Sequence, residues 1–156
     1  MKAVGFLPML FLAVACGPAY IDGTTVLDNP ANRELVETVE SYRQAVEQRN
    51  VEALAQIVSR AYFENSSTTA QSEDDYGYEE LLRKTMPILR DNIKKVVYRV
   101  KVERVKVDGA RAAVFVDFDL QCQYVEGGLE GWSTAKDRNR LDFVLEDGKW
   151  KIIAGL

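Results

Sequence analysis

From Asn29 onward, two consecutive stretches have apolar residues that recur at the spacing of an α-helix. Asn29-Pro30 is a typical helix start, with asparagine as the cap and proline in the first turn. Asn50 is placed to cap a second, shorter helix. The predicted apolar stripe of the first helix consists of Leu35, Val39, Tyr42 and Val46. The opposite positions are mostly charged, so the pattern predicts a helix with one buried face.

A third helix is predicted after a polar, acidic segment that runs from Asn65 to Tyr78 and has no core pattern. Its apolar stripe is Leu82, Met86, Leu89 and Ile93. Pro87 interrupts it, and a proline in a helix interior costs about 3 kcal/mol or forces a kink. Because the stripe keeps its phase across Pro87, we expect a kinked or two-part helix. Residues 62–66 are the best candidate for a short strand before it.

After Lys95 the apolar period changes to two, which predicts β-strands. Val97–Val107 and Ala110–Tyr124 flank Asp108-Gly109, a strong hairpin sequence. Continuous pairing across that turn would place apolar residues opposite polar ones, so we predict a β-bulge near Glu103-Arg104. The repaired register places Val102 opposite Val114, Val100 opposite Val116, Tyr98 opposite Phe118, and Arg99 beside Asp117.

A second hairpin is predicted at Asp147-Gly148 without any bulge. Its expected pairs are Leu145 with Trp150, Phe143 with Ile152, and Leu141 with Ala154. Three helices followed by long antiparallel strands indicate an α+β fold, with the helices packed on one face of a curved sheet.

The extreme N-terminus has the pattern of an export signal. Lys2 precedes an apolar run from Ala3 to Ala15, which is shorter than the roughly 20 residues that span a bilayer. The ending Ala13-Val14-Ala15-Cys16 resembles the lipobox of bacterial lipoproteins, although Ala13 stands where leucine is usual. The resemblance implies cleavage after Ala15 and acylation of Cys16 by fatty chains such as palmitate. Plain secretion and an uncleaved anchor are the alternatives.

These features divide the chain into three parts. Residues 1–15 are predicted to be a lipoprotein signal peptide, residues 16–29 a lipidated cysteine with a flexible tether, and residues 30–156 one domain. Gly17 follows the cysteine, where the familiar signal for retention in the inner membrane is aspartate. The resemblance therefore implies a cell-envelope protein, anchored by lipid at the periplasmic face of the outer membrane.

Composition removes several classes of function. The 156 residues carry a net charge of -4, and loss of Lys2 with the signal leaves 19 basic against 24 acidic residues, or -5. An acidic body does not favour nucleic acid. The chain contains no histidine, which excludes Ser–His and Cys–His catalysis and imidazole metal ligands. We predict no cofactor and no metal.

The domain resembles the NTF2-like superfamily, especially its SnoaL-like branch. The resemblance rests on the opening helices ANRELVETVESYRQAVEQRNVEALAQIV, on Tyr62-Phe63, and on the closing DGKWKIIAGL. It implies a cone in which three N-terminal helices pack on a strongly curved antiparallel sheet. The superfamily includes isomerases, dehydratases and cyclases as well as proteins that only bind, and many members dimerise through the sheet.

Enzymes of this superfamily typically place an Asp base, a Tyr donor or a His–Asp pair inside the cone. The strand carboxylates of this chain, Asp117, Asp119 and Asp142, are out of phase with the residues assigned to the interior, so we expect them on the other face. The aromatic residues that could line an apolar pocket are Tyr42, Tyr62, Phe63, Tyr98, Phe118, Trp132 and Phe143. Simple core packing is the favoured alternative for this set. Trp132 lies beside flexible glycines, at an expected mouth or edge.

Three further groups have a functional and a structural interpretation, and the structural one is favoured for each. Cys122 is a reactive thiol or a small core residue. The acids Glu73, Asp74 and Asp75 are calcium ligands or a solvated run in which Asp75 caps the third helix. The third group is Arg138, Asn139 and Arg140. These residues are interpreted either as an anion-binding group or as a solvated strand face.

The sequence as a whole predicts a non-catalytic domain, held at the membrane by lipid, that binds a small apolar ligand or an envelope protein. A SnoaL-like isomerase or cyclase that uses a carboxylate and a tyrosine in the cone is the alternative. A homodimer through the sheet is compatible with either function.

Overall fold

The computed structural model describes residues 18–65 and 75–156. The predicted signal peptide, Cys16, and the acids Glu73 and Asp74 lie outside the described residues. Within the described part, no helix is long and apolar enough to cross a membrane.

The first two helices form as the apolar stripes and caps predict. Helix α1 spans Pro30–Gln48 and α2 spans Val51–Ile57. The side chain of Asn29 accepts a hydrogen bond from the Asn32 amide at 2.9 Å. Asn50 caps α2 in the same way, through the Ala53 amide at 2.9 Å. Both caps satisfy amides that have no partner within the helix. The buried face of α1 consists of Leu35, Val39, Tyr42 and Ala45. Ala45 thus takes the place predicted for Val46, which is only half-buried.

The third helix accommodates Pro87 by widening its turns. It begins as the α-helical turn α3, Tyr78–Glu80, and continues through two π-helical segments, Leu81–Thr85 and Ile88–Asn92, which meet at Met86 and Pro87. Pro87 itself keeps helical angles, with φ -61° and ψ -35°. A proline ring collides with the carbonyl four residues earlier in a regular α-helix, and a wider turn displaces that carbonyl. The helix is therefore in two parts, as predicted, but the predicted stripe is only partly correct. The buried residues are Leu81 and Met86, whereas Leu82 and Leu89 are half-buried. Ile93 is the first residue of the following strand and does not belong to the helix. The wider π-helical turns shift the buried positions away from the α-helical spacing.

Two strands of two residues each precede the main sheet. Strand β1, Phe63–Glu64, pairs antiparallel with β2, Tyr76–Gly77, so that Glu64 lies opposite Tyr76. The short strand predicted within residues 62–66 is therefore present.

The main sheet has four antiparallel strands in sequential order. They are β3, Ile93–Asp108; β4, Arg111–Glu126; β5, Leu129–Glu146; and β6, Lys149–Ala154. Strands β3, β4 and β5 are 16, 16 and 18 residues long, well beyond the usual five or six, and so extend past the helices.

The bulge between β3 and β4 is where the sequence predicts it, but the register differs. The shift lies between Val102 and Arg104, and Val102 faces Val116 instead of the expected Val114. Val100 faces Phe118, Tyr98 faces Leu120, and Arg99 faces Asp119. The cause is the turn: Asp108 pairs with Arg111, which leaves Gly109 and Ala110 as the loop. Gly109 has φ +56°, as the first loop position of a type II′ turn demands, so the hairpin pivots one residue later than an Asp-Gly loop would.

The hairpin between β5 and β6 follows the prediction only near its turn. Leu145 pairs with Trp150, and Phe143 pairs with Ile152. The register then shifts, so that Asp142, and not Leu141, faces Ala154. The prediction of a bulge-free hairpin was wrong, and Ile153 is the extra residue on β6.

The helices cover one face of the sheet, here called the inner face. Its fully buried residues are Val114, Leu141, Phe143 and Ile152, each 0% exposed. Leu35 of α1 is likewise 0% exposed and belongs to the same core. The opposite, outer face carries the alternate residues of each strand. Along β4 and β5 none of the described outer-face side chains is buried.

Residues 18–29 are folded, which corrects the prediction of a flexible tether for this part of the chain. Tyr20 and Leu27 form an antiparallel bridge, and the Ile21 amide donates to the Val26 carbonyl at 2.9 Å. Val26 is 4% exposed and joins the core. The Thr25 hydroxyl donates to the Glu103 carbonyl in the β3 bulge at 3.0 Å. We call residues 20–27 the N-terminal hairpin.

The burial of Val26 predicts a measurable contribution to stability. Val26→Ala should lower the free energy of unfolding by about 2 kcal/mol, because it removes two buried methyl groups from the core. Val107→Ala is the matched control, since Val107 is 43% exposed. Urea unfolding of both variants checks the prediction. Equal stability of the Val26→Ala variant and the parent protein would show that the hairpin is not part of the cooperative fold.

Candidate functional site

The strand carboxylates lie on the outer face, where they pair with arginines. Asp117 lies 3.3 Å from Arg138, and Asp142 lies 2.8 Å from Arg140. Asp119 lies 4.0 Å from Arg99. The prediction that these carboxylates are out of phase with the interior is confirmed by the strand register. Exposed pairs of this kind contribute at most about 1 kcal/mol each, so they shape the surface more than they stabilise the fold.

The interior between the helices and the sheet contains a cluster of tyrosines. Tyr42 of α1 meets Tyr98 of β3 edge to face, with ring centroids 5.8 Å apart. The ring centroids of Tyr98 and Phe118 are 6.2 Å apart, and those of Tyr62 and Tyr76 are 6.1 Å apart. Tyr42, Tyr62 and Tyr98 are buried, with exposures of 8%, 2% and 6%. Tilted and edge-to-face arrangements are favourable for aromatic pairs.

Burial raises the pKa of the phenols in this cluster. The pKa of Tyr42 lies well above its ordinary value because of burial first and the neighbouring Tyr98 second. The pKa of Tyr62 is raised by burial and then by the nearby Tyr76. Burial also raises the pKa of Tyr98. All three phenols are therefore neutral donors and acceptors near neutral pH.

These raised pKa values predict a loss of stability in alkali. The unfolded chain releases its phenol protons near pH 10, while the folded state holds them. The stabilisation is therefore complete below that pH and is lost as the pH rises through the folded-state pKa values. Tyr42→Phe should reduce the slope of stability against pH above 10 by up to about 1.4 kcal/mol per pH unit.

Urea unfolding between pH 8 and pH 11 measures this slope. Tyr20→Phe is the control, because Tyr20 is 53% exposed. The same slope in the parent protein and the Tyr42→Phe variant would contradict the buried, protonated state of Tyr42.

Glu64, which no sequence pattern marks, brings a carboxylate to this cluster. Its Oε2 accepts a hydrogen bond from the Tyr62 hydroxyl at 3.2 Å and another from the Gly155 amide at 2.7 Å. The Leu156 amide donates to the Tyr62 hydroxyl at 3.3 Å. The β1–β2 pair positions Glu64, and the end of the chain closes over it. Two-residue strands carry no periodicity, so only the neighbouring Tyr62-Phe63 could have marked this site.

The predicted pocket residues separate into two groups. Tyr42, Tyr62, Tyr98, Phe118 and Phe143 belong to the interior, where Phe143 is wholly buried core and Phe118 is half-buried. Phe63 and Trp132 do not, which corrects their grouping with the interior. Phe63 is 55% exposed, and Trp132 is 61% exposed on the outer face opposite Gln123. Trp132 is excluded from the interior because its β5 position alternates with the inner-face residues.

The outer face carries a groove of about 510 Å³. It lies across the ends of β3 to β6 nearest the β3–β4 turn. Phe63 reaches it from β1, and the bulged residue Ile153 lines it from β6. Its other outer-face lining residues include Lys106, Ala113, Arg140, Asp142 and Val144. The groove thus has a partly apolar floor within a charged border.

The outer face also carries a contact between an arginine and an aromatic ring. The guanidinium carbon of Arg104 lies 4.1 Å above the ring centroid of Phe115, a cation–π contact. Residues of the neighbouring groove include Arg104, Phe115, Asp117 and Arg138.

The remaining candidate residues are spread over both faces. Arg138 and Arg140 lie on the outer face, whereas the Asn139 side chain donates inward to the Gly155 carbonyl at 2.8 Å. Cys122 is a half-buried free cysteine. Among residues 18–65 and 75–156, no three Cys, Asp or Glu side chains are placed to hold a metal ion.

Comparison with solved structures relates this arrangement to known folds. An NTF2-like superfamily protein from Salmonella enterica is 11% identical, with a TM-score of 0.62 over 79% of this chain and 86% of that chain. The fold is NTF2-like. A proposed scytalone dehydratase from Novosphingobium aromaticivorans is 13% identical, with a TM-score of 0.64 over 80% of both chains. A hexachlorocyclohexane dehydrochlorinase, LinA type 2, is 15% identical, with a TM-score of 0.62 over 80% of this chain and 82% of that chain.

The NTF2-like cone thus carries different activities in different proteins. The sequence matches no protein-family model. It also matches none of the curated proteins. The function of this NTF2-like domain has therefore to be argued from its own residues.

Proposed function

We propose that this protein is a lipid-anchored component of the bacterial cell envelope, and that its NTF2-like domain binds a partner protein on the outer face of the sheet. The observation that carries the proposal is the composition of that face. It presents the exposed Trp132, the Arg104–Phe115 pair and the arginines Arg138 and Arg140. Tryptophan and arginine are the residues that contribute most often to binding energy at protein interfaces.

The interior offers less support for catalysis. Glu64 and Tyr62 are the pair that an isomerase-like or cyclase-like reaction would have to use. An enzyme would need Glu64 to exchange its bonds from Tyr62 and Gly155 for a substrate proton.

Photocrosslinking in the native host tests the binding surface. A benzophenone amino acid at position 132 should give a protein adduct in the cell envelope, identified by mass spectrometry. An adduct with a second copy of this chain would make the partner a homodimer subunit. The same amino acid at Glu37, on the exposed side of α1, is the control. Adducts of equal yield at both positions, or none at 132, would contradict the proposal.

The anchor is tested separately through Cys16. Export followed by cleavage after Ala15 should leave acyl chains on this cysteine, each contributing about 0.8 kcal/mol per buried methylene. We expect the parent protein in the outer-membrane fraction and the Cys16→Ser variant in the soluble periplasmic fraction. Unchanged membrane retention of the variant, or an N-terminus without acyl groups in the parent, would refute lipid anchoring.

A further inference from the structure

The N-terminal hairpin places two large apolar side chains in solvent next to the proposed anchor. Tyr20 is 53% exposed and Leu27 is 51% exposed. They are bridge partners, so their side chains lie on one side of the hairpin at neighbouring positions. Val26, which alternates with Leu27, points the other way into the core. The hairpin is therefore amphipathic, with one side in the protein and an apolar pair on the other.

The length of chain between Cys16 and the hairpin limits where this pair can lie. Gly17 alone separates Cys16 from Pro18, and an extended chain covers at most about 3.6 Å per residue. Pro18 therefore lies within about 7 Å of the acylated residue, and Tyr20 within about 14 Å. Amphipathic elements insert about 5–10 Å into the interfacial region of a bilayer. The maximum distances of Pro18 and Tyr20 from the acylated residue are of similar size.

The hairpin is fixed to the domain and is not free to turn its apolar pair away. The Asp28 amide donates to the Ala19 carbonyl at 2.8 Å, and the Thr25 hydroxyl donates to the Glu103 carbonyl at 3.0 Å. Arg33 of α1 holds the Asp28 carboxylate at 2.6 Å. A short connection and a fixed hairpin would together keep the apolar pair near the surface that holds an acylated Cys16.

From these three observations we infer that Tyr20 and Leu27 form a membrane-contact surface that orients the domain on the lipid bilayer. The inference rests on the proposed acylation of Cys16. Tyrosine suits this position because its ring is apolar and its hydroxyl stays in the headgroup region. The charged neighbours are Asp22, which is exposed, and Asp28, which is paired with Arg33, so the contact is apolar and does not depend on anionic lipid.

The inferred contact places one end of the sheet near the bilayer and the other end away from it. Thr25 contacts the bulge at Glu103, which lies opposite Phe115 and Val116 of β4, whereas the β4–β5 turn at Gly127-Gly128 follows the last residue of β4. About ten residues of β4 separate these levels, or roughly 30–35 Å along the strand. Leu129, which is 77% exposed beside that turn, should therefore stay in water.

Fluorescence quenching of the acylated full-length protein tests the inference. In a Cys122→Ser background, Leu27→Cys and Leu129→Cys carry an environment-sensitive fluorophore, and the purified lipoproteins are placed in phosphatidylcholine vesicles with nitroxide-labelled lipid. We expect strong quenching and a blue shift at position 27, and neither at position 129. Added phosphatidylglycerol should not change this difference.

The outcomes separate the inference from the proposed anchor. Acylated protein with an unquenched label at 27, or with equal quenching at both positions, would overturn the membrane-contact surface and leave the anchor intact. Mass spectrometry that shows no acyl group on Cys16 would overturn the anchor and, with it, the inference. The double variant Tyr20→Ser/Leu27→Ser keeps Val26 in place and should fold. A label at the exposed position Asp22→Cys should be quenched beside the unchanged apolar pair and should lose most of that quenching in the double variant.

Discussion

Replacement of Phe143 by alanine is expected to lower the free energy of unfolding by about 3–5 kcal/mol. Phe143 is 0% exposed and lies on the inner face of β5, opposite Ala112 on one side and Ile152 on the other. Removing the ring leaves a cavity that the surrounding strands cannot fill, because they are fixed by the sheet. The loss is a large part of the roughly 5–15 kcal/mol that stabilises a typical domain.

Urea unfolding followed by tryptophan fluorescence measures the loss, because Trp150 is 5% exposed and changes environment on unfolding. Phe63→Ala is the matched control, since it removes the same ring from a site that is 55% exposed. A Phe143→Ala variant as stable as the Phe63→Ala variant would show that the core is not centred on β5.

Gly155→Ala is expected to destabilise the protein by more than the roughly 1–3 kcal/mol that a strained backbone conformation alone costs. Gly155 has φ +94°, which a residue with a Cβ rarely adopts. In addition, a Cβ at this position would collide with the backbone carbonyl oxygen of Arg140. The chain after β6 cannot move away without breaking the hydrogen bonds from the Gly155 amide to Glu64 and from the Asn139 side chain to the Gly155 carbonyl.

Gly148→Ala is the control that distinguishes the effect of the steric collision from the effect of backbone strain. Gly148 has φ +76°, and no atom lies within 4 Å of the place that an alanine methyl group would take, so its substitution carries the strain alone. Thermal unfolding of the two variants should show the larger decrease for Gly155→Ala. An equal decrease would mean that the chain end moves away from β5 at little cost.

The helices were predictable because their information is local. The buried positions Leu35, Val39 and Tyr42 and the caps Asn29 and Asn50 each depend on residues within one or two turns. The third helix was predicted less well, because its π-helical turns move burial to Leu81 and Met86. The bulge in β3 was also predictable, since apolar alternation breaks at Glu103.

The strand register was harder to predict because one turn residue sets it for the whole hairpin. The sequence Asp-Gly occurs at both turns. At Asp147-Gly148 both residues have positive φ and form the loop, as in a type I′ turn. At Asp108-Gly109 only the glycine does, and Asp108 remains in the strand. This difference depends on the strands that follow, and local sequence does not contain it.

The candidate site was only partly predictable. Five of the seven aromatic residues lie in the interior because strand and helix periodicity decides which side they face. Glu64 and Tyr76 meet across two-residue strands, and such pairing is fixed by tertiary contacts. The N-terminal hairpin was missed for a related reason: Ile21 and Val26 flank the turn formers Asp22-Gly23, but two apolar residues are too few to outweigh a polar composition.

The folded N-terminal hairpin has a consequence for how the domain would persist in the envelope. A protease needs several residues of extended chain in its active site, and exposed unstructured linkers are where such cleavage concentrates. Between residues 18 and 29 the backbone is bonded across the hairpin and Val26 is buried, so cutting there first requires the hairpin to open. For a domain anchored as proposed above, shedding from the membrane would then be limited by that opening, and the protein should outlast lipoproteins whose domains follow unstructured linkers.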